Sequence, residues 1–598
     1  MQTLNDVHQQ FAEFFPVPDL QPYAYLLSKK LSEGHICLYL DTIDDLSESL
    51  PAGYTPPLPG AGRLKSMPLV AADGSDHAPF VLSGDRLYLQ RYFRYETQFL
   101  QRIYRFIESE KAVLPQRTER LLQQTALVEK LFAQAAAAGE GDEAIDWQLA
   151  AAITGVLNNF TIITGGPGTG KTTTVAKLLA ILYATDASLK VALAAPTGKA
   201  AARMAESLRN TTLPVEAAVL ERFRMLEPST IHRLLKWERD TPYFRHNHDN
   251  PLRYDVVIVD ECSMIDVALF AKLLDAIGPG TRLILLGDKD QLASVEAGSL
   301  FGDLCQSLEK MNDFPEERRA LINRFIADKK RQLPATQVSG DHAHPLFQRL
   351  VELRRSHRFT GDRGIGRFAR AVIGNDVPVL ESFLRAGADD QVLIDTQYDD
   401  ALFEQFISGY EAFIAEPDLS QALQKMNRLR VLCARREGEQ GLYATNKRIE
   451  KYLHDKKRLK AGPVFYEHRP IILTRNYYEH GLFNGDTGIV RADANGQLMA
   501  WFDDGKGGLK AVLPGYLTEA ETVFAMTIHK SQGSEFNEVL VLLPKQTDAV
   551  LLTRELLYTA VTRARQKVYV QASPAGVLAA AQRHVERASG IAWRLKEQ

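Results

Sequence analysis

Residues 162–179 read "IITGGPGTGKTTTVAKLL", and the pattern G-x-x-x-x-G-K-[ST] is met there by Gly165, Gly170, Lys171 and Thr172. An apolar, β-like run precedes the pattern and the helical "TTVAKLLAILYA" follows, so strand, loop and helix stand in the order that a phosphate-binding loop needs. Glycines let the backbone curl until successive N–H groups point at the phosphates, and the following helix presents its positive end. The candidate nucleotide contacts are therefore Gly165, Gly166, Pro167, Gly168, Thr169, Gly170, Lys171, Thr172 and Thr173. Lys171 is placed to bridge the outer phosphates, and the Thr172 hydroxyl suits Mg²⁺. The loop announces a nucleoside triphosphate and leaves open what the energy drives.

Outward from the loop, residues 147 to about 303 alternate apolar strands ("FTIIT", "KVALAAP", "DVVIVD", "RLILLG") with helical segments, the signature of a parallel sheet. A second set, "RLRVLCA", "EVLVLLP" and "KVYVQAS", predicts a second, related α/β domain. Between the two, residues 311–345 are charged and helical and read as a solvated insertion. Asn-Gly and Gly-rich turns separate short alternating runs over 469–514, which predicts a small antiparallel barrel inserted in the second domain at about 465–520. The first ~110 residues look mixed, with helical "VHQQFAEFF" and "YAYLLSKKL", a strand-like "HICLYL" and a Pro/Gly-rich loop. A helical pattern then runs from about Thr97 to Ala138. The expected domain limits are 1–110, 111–350 and 351–598.

At 598 residues the chain exceeds what one core supports. Its 45% hydrophobic and 24% charged residues are ordinary for a globular protein, and no apolar run reaches the roughly 18 residues of a membrane span. A cytoplasmic location, with no membrane partner, is expected. Cys37, Cys262, Cys305 and Cys433 lie too far apart for a C-x-x-C metal pair and read as reduced thiols. Basic and acidic residues number 71 and 74, so any track for nucleic acid has to be local.

The chemistry gathers at strand ends. "YDVVIVDECSMID" ends a strand at Asp260 and Glu261: one carboxylate can hold Mg²⁺ while its neighbour polarises the attacking water. "RLILLGDKDQL" ends at Gly287, Asp288 and Gln291, whose neutral amide can report the γ-phosphate. In "AAPTGKAAARMAE", Pro196, Thr197, Gly198 and Lys199 lie between strand and helix, where amides and a hydroxyl can grip a backbone phosphate. Thr230 and His232 in "STIHRLL" offer a similar grip. Downstream, "AMTIHKSQGSEF" supplies His529, Lys530, Gln532, Gly533 and Glu535, and "LLYTAVTRAR" supplies Thr562, Arg563 and Arg565. An arginine on a second domain that faces a nucleotide held by the first acts as an arginine finger; the same logic fits Arg358 in "LRRSHRF", although each arginine taken singly reads as a surface salt bridge.

Taken together and in this order, "GGPGTGKTT", "APTGKAA", "TIHRLL", "VDECSMID", "LGDKDQLASVEAG", "RRSHRF", "TIHKSQGSEF" and "YTAVTRAR" resemble the motifs of superfamily 1 DNA helicases, over roughly two thirds of the chain. The variants "GGPGTGKTTT", "TGKAA", "LFNGDTG" and "HKSQGSEF" further resemble the RecD branch. That resemblance implies an α/β fold of two RecA-like P-loop domains, with an SH3-like β-barrel inserted in the second and a small mixed N-terminal domain. It implies ATP and Mg²⁺ as cofactors, with Lys171, Asp260, Glu261, Gln291, Arg358 and Arg563 as catalytic residues and Thr172 and Asp260 on the metal. Gln148 falls where the family reads adenine, with Gly533 and Glu535 also at the nucleotide. Pro196, Thr197, Gly198, Lys199, Thr230, His232, Thr527, His529 and Lys530 would contact DNA. Cys262 stands where relatives often carry alanine and reads as a packing substitution. The implied activity is 5′-to-3′ translocation on single-stranded DNA and unwinding from duplex ends, beside RecB-like and RecC-like subunits of a heterotrimer that repairs double-strand breaks by recombination. No D…E-x-K nuclease cluster is evident, so cutting would belong to a partner. A free-standing RecD-like helicase is the alternative, and it would be favoured by an additional N-terminal helix-hairpin-helix domain.

Overall fold

The structure is a computed structural model. It describes residues 6–597 except 58, 73, 75, 76, 134–140, 239, 240, 336–342, 360–362, 386, 388, 461, 463, 506 and 547–550. The end of the helical pattern expected to run to 138, and part of the segment 311–345, fall outside the described residues.

The N-terminal module combines the helices Val7–Glu13 and Gln21–Ser32 with β1 (Cys37–Tyr39), β2 (Val70–Ala71), β3 (Phe80–Ser83) and β4 (Arg86–Leu89), in the order β1-β4-β3-β2; β2 runs parallel to β3 and the other pairs are antiparallel. The first large sheet comprises β5 (Phe160–Thr164), β6 (Val191–Ala195), β7 (Ser229–Thr230), β8 (Val256–Val259), β9 (Arg282–Gly287) and β10 (Leu350–Glu352). All its pairs are parallel, in the order β10-β5-β9-β8-β6-β7. Continuous Val/Ile/Leu runs suit strands covered on both faces. In β8, Val256 and Ile258 join one core and Val257 and Val259 the other, so the period of two distributes one apolar run between two layers.

The second parallel sheet contains β11 (Val392–Asp395) and β12 (Leu429–Cys433), then, after an insertion, β18 (Ala525–Thr527), β19 (Phe536–Leu542) and β20 (Ala564–Gln571), in the order β11-β20-β19-β12-β18. The insertion is β13 (Pro470–Leu473), β14 (Thr487–Ala492), β15 (Leu498–Asp503), β16 (Leu509–Val512) and β17 (Ala520–Thr522). These strands pair antiparallel in the order β16-β15-β14-β13-β17, and among the described residues no ladder joins the two end strands.

Three expectations are corrected by packing. The limit drawn at 110 falls inside a single helix, Gln90–Gln123, whose Phe99, Leu100, Ile103 and Phe106 pack into the core of the first parallel-sheet domain beside Phe160 and Phe270. The described part of the segment 311–345 is not a solvated insertion: Phe314, Ile322, Phe325, Ile326 and Leu333 are buried in that domain, and Arg318 donates to Asn158 Oδ1 at 3.1 Å. High charge density concealed an amphipathic segment. The chain end likewise leaves the second domain. Ile36 N–H donates to the Ala588 carbonyl at 3.0 Å, Gly590 N–H donates to Glu96 Oε1 at 2.8 Å, and Ile591 and Leu595 of the final helix Ile591–Glu597 enter the first-domain core.

Candidate functional site

A cleft of about 890 Å³ opens between the carboxyl ends of the first sheet and the second domain. Open α/β sheets bind ligands at this place. Its floor is the loop between β5 and the helix Lys171–Thr185. Gly168 and Gly170 adopt φ of +78° and +85°, backbone in which any side chain is strained, and a Cβ on Gly168 would also press on Arg358 Cβ and stand 3.1 Å from its backbone N. Lys171 Nζ rests on the carbonyls of Gly165 (2.5 Å) and Gly166 (3.3 Å), and Thr169 Oγ1 donates to Gly166 O at 2.8 Å. Gln148 stands over the loop, its Nε2 donating to Thr169 O at 3.1 Å and lying 3.3 Å from His357 Nε2. Thr172, Thr173, Gly166 and Pro167 complete this wall.

Asp260 follows β8 directly, and Glu261 stands in left-handed geometry (φ 54°), which turns its side chain away from the strand line. Glu261 N–H donates to Asp260 Oδ1 at 2.8 Å. Burial and then the Glu261 charge push the Asp260 carboxyl up to about 6, against the pull of Lys171. A cation relieves such a pair, and the donors, a carboxylate and the Thr172 hydroxyl, are the hard oxygens that Mg²⁺ accepts. Gln291 donates to Asp288 Oδ2 at 2.8 Å, while its own buried Oε1 has no partner among the described residues. Asp288 Oδ2 also accepts from the Tyr558 hydroxyl of the second domain at 3.1 Å.

The opposite wall carries arginines. Arg563 is buried, donating from Nε to Thr559 O at 3.1 Å and from Nη1 to Ser534 O at 3.3 Å. Arg358 follows β10 through a segment that wraps the loop: Ser356 Oγ donates to Pro167 O, and His357 N–H to Gly168 O. Glu535 lies among three cations. Its Oε1 is 2.6 Å from Arg203 and 2.7 Å from Arg358, and its Oε2 is 2.9 Å from Arg565. Burial opposes its charge, but Arg203 and Arg358 outweigh it and hold the carboxyl well below the usual range. Gly533 and Glu535 thus line the cleft, with the carboxylate engaged by arginines.

The candidate strand contacts lie at the edge of this cleft and beyond it. Thr197 caps the helix Gly198–Arg209 by accepting from Ala200 N–H, and Thr230 caps the short turn Ile231–Leu234 by accepting from Arg233 N–H. Each hydroxyl hydrogen stays available to a phosphate. Pro196 precedes this cap, and the inserted sheet reaches it, since a Cβ on Gly198 would stand 2.9 Å from Phe483 Cβ. Burial, then Arg430 and Arg203, push the Lys199 ammonium down to about 8, with Asp486 opposing; an anion beside it would reverse that. His232 has its pKa lowered by burial, and its ring lies 5.6 Å from Phe244. Across the cleft, Thr527 accepts from Lys530 N–H, Lys530 Nζ pairs with Glu521 at 2.7 Å, and burial lowers His529. Cys262 is fully buried with Sγ directed at Val259 O, in keeping with a packing role. Sequence reasoning missed Arg203, although it stands within the quoted "TGKAAAR", and Tyr558, whose partner is 270 positions away.

Three families match: the RecBCD enzyme subunit RecD N-terminal domain over residues 1–88, an AAA domain over 148–297 and the UvrD-like helicase C-terminal domain over 522–571. The RecBCD enzyme subunit RecD of Mycobacterium tuberculosis is 36% identical over 580 residues, covering 95% of this chain and 90% of that one. That of Haemophilus influenzae is 35% identical over 503 residues, covering 77% and 73%. The ATP-dependent RecD2 DNA helicase of Deinococcus radiodurans is 30% identical over 443 residues, covering 73% of this chain and 50% of that one. Among the described residues no helix is long and apolar enough to cross a membrane.

Proposed function

The chain belongs to the RecD family of superfamily 1, ATP-dependent DNA helicases, and from that premise we propose that it is the 5′-to-3′ motor subunit of a RecBCD-type helicase–nuclease. In this reading it works in the cytoplasm on single-stranded DNA and duplex ends, beside RecB-like and RecC-like subunits, in break repair by homologous recombination. The observation that carries it is the convergence of Lys171, Asp260, Glu261 and Gln291 from one parallel-sheet domain, and Arg358 from the segment that leaves it after β10, with Glu535 and Arg563 from the other around a single cleft. A nucleotide held there touches both domains, so its arrival and loss can close and open them.

Gln148 reads the adenine edge while Lys171 and the loop amides hold the phosphates. Thr172 and Asp260 would hold Mg²⁺, which would neutralise charge on the phosphate oxygens. Glu261 takes a proton from the attacking water, Arg563 and Lys171 stabilise the transferred charge, and Gln291 with Arg358 sense whether the γ-phosphate is present. Pro196 to Lys199 with Thr230 and His232 grip the strand from the first domain; Thr527, His529 and Lys530 grip it from the second. A motor unit from about residue 90, with the N-terminal module docking a partner, accommodates both the long helix and the family match at 1–88. The free-standing reading has less support, because the match to RecD2 spans half of that protein.

Polarity is tested with tailed duplexes. A 5′ single-stranded tail should permit ATP-dependent unwinding and a 3′ tail alone should not; equal or reversed preference overturns the polarity. Affinity purification from the native cell, followed by mass spectrometry, should recover RecB-like and RecC-like chains in stoichiometric yield.

A further inference from the structure

Arg203 has no role in the reading above, yet its guanidinium leaves the domain that carries it. It lies on the helix Gly198–Arg209, one turn beyond Lys199, so its backbone moves with the amino-terminal end that is proposed to hold the strand. Its Nη1 donates to Gly533 O at 3.0 Å, and its Nη2 lies 2.6 Å from Glu535 Oε1. Gly533 and Glu535 in turn follow the short turn His529–Ser531, where the second domain's strand contacts are proposed. One side chain therefore ties the gripping segment of one domain to that of the other, along the wall of the nucleotide cleft.

What Arg203 holds also matters. Glu535 shares its Oε1 with Arg358 and gives its Oε2 to Arg565, so its position sets where both guanidinium groups stand. Among the described residues, Arg358 Nη1 is buried without a partner, a donor that a phosphate oxygen in the cleft would satisfy. Arg565 is half outside the cleft, its side chain 54% exposed against 20% for Arg358, so displacement of Glu535 would release the latter first from a fixed place. Energetic coupling between two sites needs an element that contacts both, and Arg203 with Glu535 is such an element.

We propose that Arg203 is a positioning residue that makes ATP turnover depend on DNA: riding on the strand-gripping helix, it places Glu535 and thereby Arg358 for the phosphates. The inference rests on the helicase reading. An inert interface staple is the competing view. It predicts that removing Arg203 lowers stability, or lowers all rates alike, and leaves the response to DNA untouched.

The test is steady-state ATPase of the full chain, with and without oligo(dT) as the probe, for wild type, Arg203→Gln and Arg203→Lys. Couplings of this kind are typically worth about 5- to 150-fold, and the ratio of stimulated to unstimulated rate is expected to fall about tenfold in Arg203→Gln. The half-saturating oligo(dT) concentration should shift less than about threefold, because the strand contacts remain. Arg203→Lys keeps the charge but not the fork that reaches both Gly533 and Glu535, and it should recover part of the ratio. Should Arg203→Gln fail to fold, Arg203→Lys decides: a ratio about threefold or more below wild type supports the role, and a wild-type ratio overturns it. An unchanged ratio in a folded Arg203→Gln overturns this inference alone. A wild-type ATPase indifferent to oligo(dT) overturns the helicase reading and this inference together.

Discussion

The two walls of the nucleotide cleft are built differently. On the first-domain wall, Asp260, Glu261 and Gln291 hang from the ends of β8 and β9, and Lys171 opens a helix directly after the β5 loop. Ladder hydrogen bonds and two buried cores fix those strand ends, so the backbone that carries these groups is held by the fold itself. On the facing wall, Arg358, from the segment after β10, and Arg565 are held by one carboxylate and Arg563 by two backbone carbonyls, contacts of guanidinium groups that a phosphate can compete for. A preorganised wall suits binding and chemistry, and an exchangeable one suits a switch.

The largest expected effect strikes the rigid wall. Lys171→Gln should lower kcat for ATP hydrolysis by about three orders of magnitude or more, with the melting temperature little changed, since a charge aimed at phosphates is lost and no packing. A phosphate-release assay that found activity within about tenfold of wild type would erase the distinction between the walls. Next comes Arg563→Gln, expected to cost about two to three orders in kcat. The guanidinium is buried, and a neutral amide cannot replace both its carbonyl contacts and its charge. If KM for ATP rises while kcat holds, Arg563 binds the ground state and is no finger.

A third variant asks whether the exchangeable wall is tethered. Ile591 is fully buried in the first-domain core although it follows the last strand of the second domain. Ile591→Ala should therefore cost about 2–4 kcal/mol in chemical denaturation. A loss under about 1 kcal/mol would mean that the tail does not anchor the second domain to the first. The smallest effect is expected from Tyr558→Phe, which removes one hydrogen bond to Asp288 and leaves Gln291 as its partner. About 1 kcal/mol, or up to tenfold in kcat at unchanged KM, should follow. No change would show that Gln291 is oriented from its own domain alone.

Legibility followed the same division. The loop, the acidic pair and the arginines were all readable because each belongs to a short segment whose chemistry is local. So were the apolar strands β5, β6, β8, β9, β12, β19 and β20, long enough to show as Val/Ile/Leu runs. β7, with two residues, and β10 and β18, with three each, offer too little pattern. β11 carries only one fully buried residue, Val392, so its apolar signal is weak. The buried segment after Asn312 was misread because Arg318 and its neighbours outnumber the spaced apolar residues that pack. Arg203 was passed over since nothing in "KAAARMAE" distinguishes an arginine that crosses a domain boundary from one on a solvated helix face.

By itself the sequence determined two parallel-sheet domains, a phosphate-binding loop, a carboxylate pair at a strand end and an order of motifs that places the chain among the RecD helicases. These are matters of period, of turn chemistry and of neighbours within a few residues. Only the tertiary structure decided that Gln90–Gln123 belongs to the motor core, that residues 583–597 return to that core past the N-terminal module, that Phe483 lies against Gly198, and that Glu535 is gripped by three arginines from separate elements. The physical reason is separation along the chain. Arg203 and Glu535 are 332 positions apart, and neither local propensity nor hydrophobic period carries information over that distance; the meeting exists only once both sheets have formed and faced each other across the cleft.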